Sequence, residues 1–204
     1  MKLLIPTCTP LANLKIVDEL RVVSPTATVI VNSSSNSAAF NRNRTLEQVE
    51  LGELVIMLDD DMTGFFKGWE TLLVKPFEYV SDIIMIAARL LRPNGNLAFM
   101  MGEDYRIDQS LVEVKERRLP TACIAFRYDG TMFYEGFIGS GFEDTAFCKD
   151  LGNKYPNGKF MVNNEVRLVH KNEMKGQKGE VWVKNKAMFV KLYPEEYMNE
   201  YKRD

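Results

Sequence analysis

Apolar runs recur along the first sixty residues, and mixed polar stretches separate them. The run KLLIP, closed by Pro6, predicts a strand over 2–6. TPLANLKIVDELRVV then predicts a helix over 9–23, with Thr9 as its cap and Pro10 at its first position. ATVIVN predicts a second strand over 27–32. The glycine-free polar run SSSNSAAFNRNR reads as a loop feeding a helix around RTLEQVE, 44–50. GELVIML, 52–58, is apolar without alternation, which predicts a central parallel strand buried on both faces.

Strand, helix, strand, helix, strand is the opening of a doubly wound α/β fold. Ligands of such sheets gather outside the carboxyl ends of the strands. Thr7, Asn32 and Asp59–Asp61 follow the first three strands, so they are expected to converge on one edge. Beyond them, TGFFKGWETLLVKPFEYV predicts a short helix, and DIIMIAARLL a strand. RPNG supplies a turn before a further apolar run, NLAFMM. The polar stretch 103–120 suggests loops or a hairpin, and TACIAFRY another strand. GSGFEDTAFCKDLG reads as a turn followed by a helix, because Glu143 and Asp144 suit a helix's first turn. KFMVNNEVRLVHKN holds two short apolar stretches, EMKGQKGE a mobile loop, and the remainder a closing strand or helix plus tail.

The chemistry concentrates in VIMLDDDMTG, Val55–Gly64, where a buried strand runs into three adjacent acids. Mutual repulsion and desolvation both oppose that placement. The acids form a solvated charged turn, or something cationic sits among them. Asp59 and Asp61, one residue apart, can approach one divalent ion; Mg²⁺ and Mn²⁺ accept such hard oxygen ligands. Asp60 is left for a sugar or ribose hydroxyl, or for solvent. Glu143 and Asp144 follow the small-residue run GSG; they can cap the helix or take a proton from an attacking hydroxyl. His170, the single histidine, can complete a metal site or serve the structure alone. Lys171, Lys175 and Lys178 can meet phosphate oxygens or simply solvate their loop.

Composition narrows the classes. The chain's 204 residues are 46% apolar and 26% charged, as in an ordinary globular protein. No repeat, long linker or low-complexity tract appears, so one domain over 1–204 is expected, with the segment from about 186 packing against it. A net charge of -2 with no basic block argues against a nucleic-acid groove. Cys8, Cys123 and Cys148 form neither a disulfide framework nor a zinc site, which points to a reducing, cytoplasmic setting. The apolar start is too short for a signal peptide, and no run is long enough to cross a bilayer.

These landmarks, in this order, resemble the GT-A nucleotide-sugar glycosyltransferases, especially the large inverting family of bacterial polysaccharide and rhamnosyl-type transferases. The similarity runs from Leu3 to His170. It implies a single-domain, Rossmann-like GT-A fold with a mixed central sheet. LIPT looks like the family's nucleotide-receiving strand end, with Pro6 and Thr7 in contact; Asn32 and Ser33 stand where an aspartate often touches the base. AAFNRNRTL resembles the Ala–Arg–Asn segment, with Arg42 and Asn43 at the matching places, and ARLLRPNGNLAFMMG the internal strand and turn. By the same resemblance Asp59–Asp60–Asp61 meets the metal and diphosphate, and His170 ligates the metal. Asp144 becomes the catalytic base and Glu143 an orienting carboxylate.

The implied reaction is metal-dependent transfer of a sugar from a nucleoside-diphosphate donor to a glycan, lipid-linked or protein hydroxyl, with inversion. Mn²⁺ or Mg²⁺ is the implied cofactor, the 171–180 loop an implied cover, and a homo-oligomer is compatible. Two other readings stand beside it. DDDMT, Asp59–Thr63, also fits the Asp–X–Asp–X–Thr pattern of phosphatases resembling haloacid dehalogenases, although that pattern normally follows a first strand. A non-catalytic domain binding a sugar nucleotide or glycan is the other.

Overall fold

The computed structural model describes residues 1–98, 109–171 and 179–194. Its strands are β1 (Lys2–Thr7), β2 (Thr28–Ser33), β3 (Leu54–Leu58), β4 (Met62–Thr63), β5 (Ile83–Leu91), β6 (Leu111–Glu113), β7 (Cys123–Arg127) and β8 (Lys159–His170). The α-helices are α1 (Lys15–Val23), α2 (Ala38–Leu46), α3 (Trp69–Val74), α4 (Glu143–Lys154) and α5 (Glu180–Leu192). All the strands belong to one mixed sheet in the order β2-β1-β3-β7-β5-β8-β4, with β6 added along β8. Expectations for NLAFMM from residue 99, for 103–108, for the loop at 172–178 with Lys175 and Lys178, and for the tail from 195 lie outside the described residues.

Leu3, Leu4 and Ile5 are fully buried because β1 lies between β2 and β3, parallel to both. β3 is buried on both faces as its unbroken apolar run requires, yet it is parallel only to β1. On its other side β7 runs antiparallel, so the doubly wound beginning opens into a mixed sheet. Asp59 extends that ladder by donating its N–H to the Ala122 carbonyl at 2.9 Å. β1 and β3 therefore deliver their carboxyl ends to one edge, as expected.

Three local expectations change. The polar run 33–44 contains most of a helix: α2 starts at Ala38, and Ser37 Oγ accepts the Phe40 N–H at 3.3 Å. A serine cap and a run free of Gly and Pro outweigh the polar composition, and the polar residues Asn41, Arg42 and Asn43 are buried with partners instead of solvated. Thr9 caps nothing; a 3-10 turn at Leu11–Asn13 intervenes, and α1 begins after Leu14. The Thr9 N–H instead donates to Thr7 Oγ1 at 2.8 Å, tightening the chain at the end of β1. KFMVNNEVRLVH is one strand of 12 residues rather than two stretches, irregular where Ala88 pairs with Asn163 and Arg89 already with Arg167. The C-terminal ambiguity resolves to helix, with Asn185 and Phe189 of α5 buried.

α4 is held onto the sheet by aromatic packing. Phe147 stacks on Phe133 with ring centroids 4.0 Å apart and meets the edge of Phe126 at 5.5 Å. All three rings are buried. Phe147→Ala is expected to lower stability by about 3–5 kcal/mol, read from urea unfolding at unchanged slope.

Candidate active site

The acids after β3 are spread among different partners. The Met62 N–H returns to the Asp59 carbonyl at 3.4 Å, turning the chain into β4. β4, absent from the expected elements, pairs antiparallel with the end of β8 and sets Met62 opposite His170. The Lys171 N–H reaches the Asp61 carbonyl at 3.2 Å and locks the register. His170 Nε2 consequently sits 3.0 Å from Asp61 Oδ1 and 3.8 Å from Asp59 Oδ2. One ligand atom from each of Asp59, Asp61 and His170 falls within 4.8 Å of the others. Asp60 turns away and accepts from the Thr7 hydroxyl.

Arg42 answers for the remaining charge. It projects from α2, and its side chain is only 7% exposed. Its two terminal nitrogens lie 2.6 Å from Glu143 Oε1 and 3.2 Å from Asp59 Oδ1. Burial alone would favour the neutral guanidine, but Glu143, Asp59 and Asp144 together hold its pKa above the ordinary arginine value. The second Glu143 oxygen accepts the Gly141 N–H. A guanidinium thus ties the exit of β3 to the start of α4, with Arg42 itself 101 residues from Glu143 in the chain.

The other carboxylates show what that tie does not offset. Burial keeps the Asp59 pKa above its usual range, against the pull of Arg42 and His170. Asp144 is pushed up to about 6, first by burial and then by the neighbouring Glu143 charge; Arg42, the Thr145 N–H and Arg118 restrain the rise.

A cleft of about 340 Å³ opens beside the acids. Pro6, Thr7, Arg42, Asp59 and Asp60 line it, as does exposed Cys8. Asn32, Ser33, Asn43 and Asp144 do not. Asn32 Nδ2 donates to Asn41 Oδ1 at 2.8 Å, and Ser33 Oγ to the Thr9 carbonyl at 2.7 Å. Asn43 grips the Phe133 backbone through both N–H and C=O, each at 2.8 Å, because successive helical residues point about 100° apart and cannot share Arg42's direction. Asn41, Gly139 and Ser140 were not anticipated in the lining. Asn41 is buried and donates to the Thr7 carbonyl at 3.0 Å and the Ser34 carbonyl at 3.1 Å, joining the ends of β1 and β2. A larger hollow of about 950 Å³ lies against α1 and β2, lined by Val17, Val29 and Val31 and by none of the acid cluster's residues.

No family model matches the chain, and no curated protein matches it in sequence. Solved structures do match in shape. The structure of GalNAc-T7 with UDP, GalNAc and Mn²⁺ superimposes with a TM-score of 0.65 at 14% identity, over 98% of this chain and 49% of that one. The S. aureus TarS 1–349 complex with UDP-GlcNAc gives 0.54 at 19% identity, over 89% of this chain and 51% of that one. A197 from STIV gives 0.54 at 13% identity, over 88% of this chain and 97% of that one. The chain has the GT-A nucleotide-sugar glycosyltransferase fold. It spans about half the length of the GalNAc-T7 and TarS chains. The phosphatase reading of DDDMT is not favoured: the motif follows the third strand, and Thr63 Oγ1 donates to Glu19 at 2.9 Å. Among the described residues no helix is long and apolar enough to cross a membrane.

Removing the guanidinium would strand two carboxylates. Arg42→Gln is expected to cost about 3–5 kcal/mol in denaturant unfolding, and Arg42→Gln with Glu143→Gln less than the sum of the two single changes.

Proposed function

We propose that this chain transfers a sugar from a nucleoside-diphosphate sugar to an acceptor hydroxyl, with inversion, using a divalent cation. The observation that carries this is the approach of the Asp59, Asp61 and His170 ligand atoms at the strand edge beside the Thr7–Asp60 cleft. The GalNAc-T7 structure holds UDP, GalNAc and Mn²⁺ and the TarS structure UDP-GlcNAc, which supports a nucleotide-sugar donor.

The donor set fits the group. Two carboxylate oxygens and one imidazole nitrogen suit Mn²⁺, and Mg²⁺ less well because of the nitrogen. Bound there, the ion supplies charge neutralisation for the departing diphosphate. Thr7 and Pro6 border the nucleotide, and Asp60, aligned by the Thr7 hydroxyl, is placed to accept from a ribose or sugar hydroxyl. Arg42 keeps Asp59 aimed while remaining charged itself. Asp144 takes the proton of the acceptor hydroxyl as that oxygen attacks the anomeric carbon. Glu143, fixed by Arg42 and the Gly141 N–H, orients the start of α4. A base on the face opposite the leaving group produces inversion.

Residues 1–204 are read as one catalytic domain, acting on a glycan, lipid-linked or protein hydroxyl. Free Cys8, Cys123 and Cys148 favour a reducing, cytoplasmic setting.

The test is donor turnover. Incubated with a panel of nucleoside-diphosphate sugars and Mn²⁺, the protein is expected to release nucleoside diphosphate, and to stop on chelation. Asp144→Asn is expected to lower transfer by roughly 10²–10⁴-fold. Binding without turnover across the panel would instead favour a non-catalytic domain.

The pH dependence follows from Asp144. Transfer is expected to fall as pH drops through about 6, because the base must be ionised. Since the folded pKa is raised, the ionised carboxylate works against folding above the unfolded value. Asp144→Asn is therefore expected to raise the thermal midpoint at pH 8, an advantage that disappears as pH falls below the folded pKa towards the ordinary carboxylate range.

A further inference from the structure

The turn at 138–142 belongs to both halves of the site. Gly139 and Ser140 line the cleft, and the Gly141 N–H is the second partner of Glu143. The next residue, Phe142, has φ 71°, a left-handed conformation that bulky side chains adopt only when their surroundings impose it. From the front, the turn is tied to α2 by the Ala38 N–H, which donates to the Gly139 carbonyl at 2.7 Å.

From behind, it is held by α5. Asn185 is 1% exposed, and every bond found for its side chain goes to this turn. Its Oδ1 accepts the Ile138 N–H at 2.8 Å. Its Nδ2 faces the carbonyls of Ile138 at 2.9 Å, Gly141 at 3.2 Å and Ser140 at 3.4 Å. The Phe142 ring packs 5.4 Å from Phe189 and 5.8 Å from Trp182, centroid to centroid. Anchoring a helix does not call for this amide: Phe189, Phe137 and Ala146 already form an apolar contact between α5 and the region of α4. A buried amide that spends donor and acceptor on three residues of one turn, Ile138, Ser140 and Gly141, fixes their conformation as well as their place.

We propose that Asn185 is a positioning residue of the transfer site, holding the 138–141 turn so that Gly139 and Ser140 shape the cleft and Gly141 orients Glu143. This rests on the cleft being the nucleotide site. It makes α5 part of the catalytic unit, with its effect carried through the turn and then through Glu143 and Arg42 to Asp59.

The test uses the full chain with Mn²⁺ and UDP, GDP or ADP in calorimetry, below the unfolding midpoint of each variant. Asn185→Leu removes the bonds at similar volume, and Asn185→Asp sets a carboxylate against three carbonyls. Both are expected to weaken nucleotide affinity by about 10–100-fold, as loss of an outer-shell partner does, and to speed hydrogen exchange at Ile138. Leu151→Ala, in the buried face of α4 near its far end, is the stability control: it lowers the midpoint and keeps the affinity. Wild-type affinity in the folded Asn185 variants overturns the proposal, even with faster exchange, because the residue then serves folding alone. A wild-type chain that binds none of the nucleotides overturns the functional reading beneath it.

Discussion

A buried guanidinium between two carboxylates organises this molecule. Arg42 comes from α2, Asp59 from the exit of β3, and Glu143 from the first turn of α4. Arg42 and Glu143 are buried, and neither would be stable there as an isolated charge. Burying Arg42 or Glu143 alone would cost several kcal/mol, and their pairing offsets much of that penalty although Arg42 Nε makes no hydrogen bond. The tie consequently fixes the acid turn after β3 relative to the first turn of α4. It also leaves Asp59 one oxygen free to face His170 and Asp61.

The mixed topology serves the same edge. Parallel pairing of β1, β2 and β3 brings several strand ends to one side, which makes the cleft. The antiparallel pairing of β4 with β8 is short, only Met62 and Thr63 against His170 and Val169, yet it carries an imidazole from residue 170 to the acids. Glu19 secures that fragment from outside. Its carboxylate accepts the Thr63 hydroxyl and the N–H groups of Gly64 and Phe65, at 2.9–3.2 Å. A wholly parallel sheet would have offered β8 no such return to the acid turn.

Much of this was legible beforehand where a residue's surroundings are local. Leu54–Leu58 announced a strand buried on both faces, and the acids after it announced an edge where charge collects. The helix at Ala38 was concealed because its polar residues are buried for partners far away in sequence: Asn43 for Phe133, Arg42 for Glu143. Composition signals solvent in such a run, and only tertiary pairing reverses it. The two-residue β4 has no periodicity to detect. No spacing singles out Asn41 or Asn185: Asn41 is held by the Asn32 side chain and the Thr7 and Ser34 carbonyls, and Asn185 by backbone groups of the 138–141 turn.

The central claim is that the acid turn and His170 hold one divalent cation against a diphosphate. Anomalous diffraction from crystals grown with Mn²⁺ and a bound nucleoside diphosphate tests it most directly. The account predicts one manganese peak within coordination distance of Asp59 or Asp61 carboxylate oxygens and of His170 Nε2, shared with the diphosphate. A diphosphate bound in the cleft with no manganese beside it, or manganese bound only elsewhere on the chain, would contradict it.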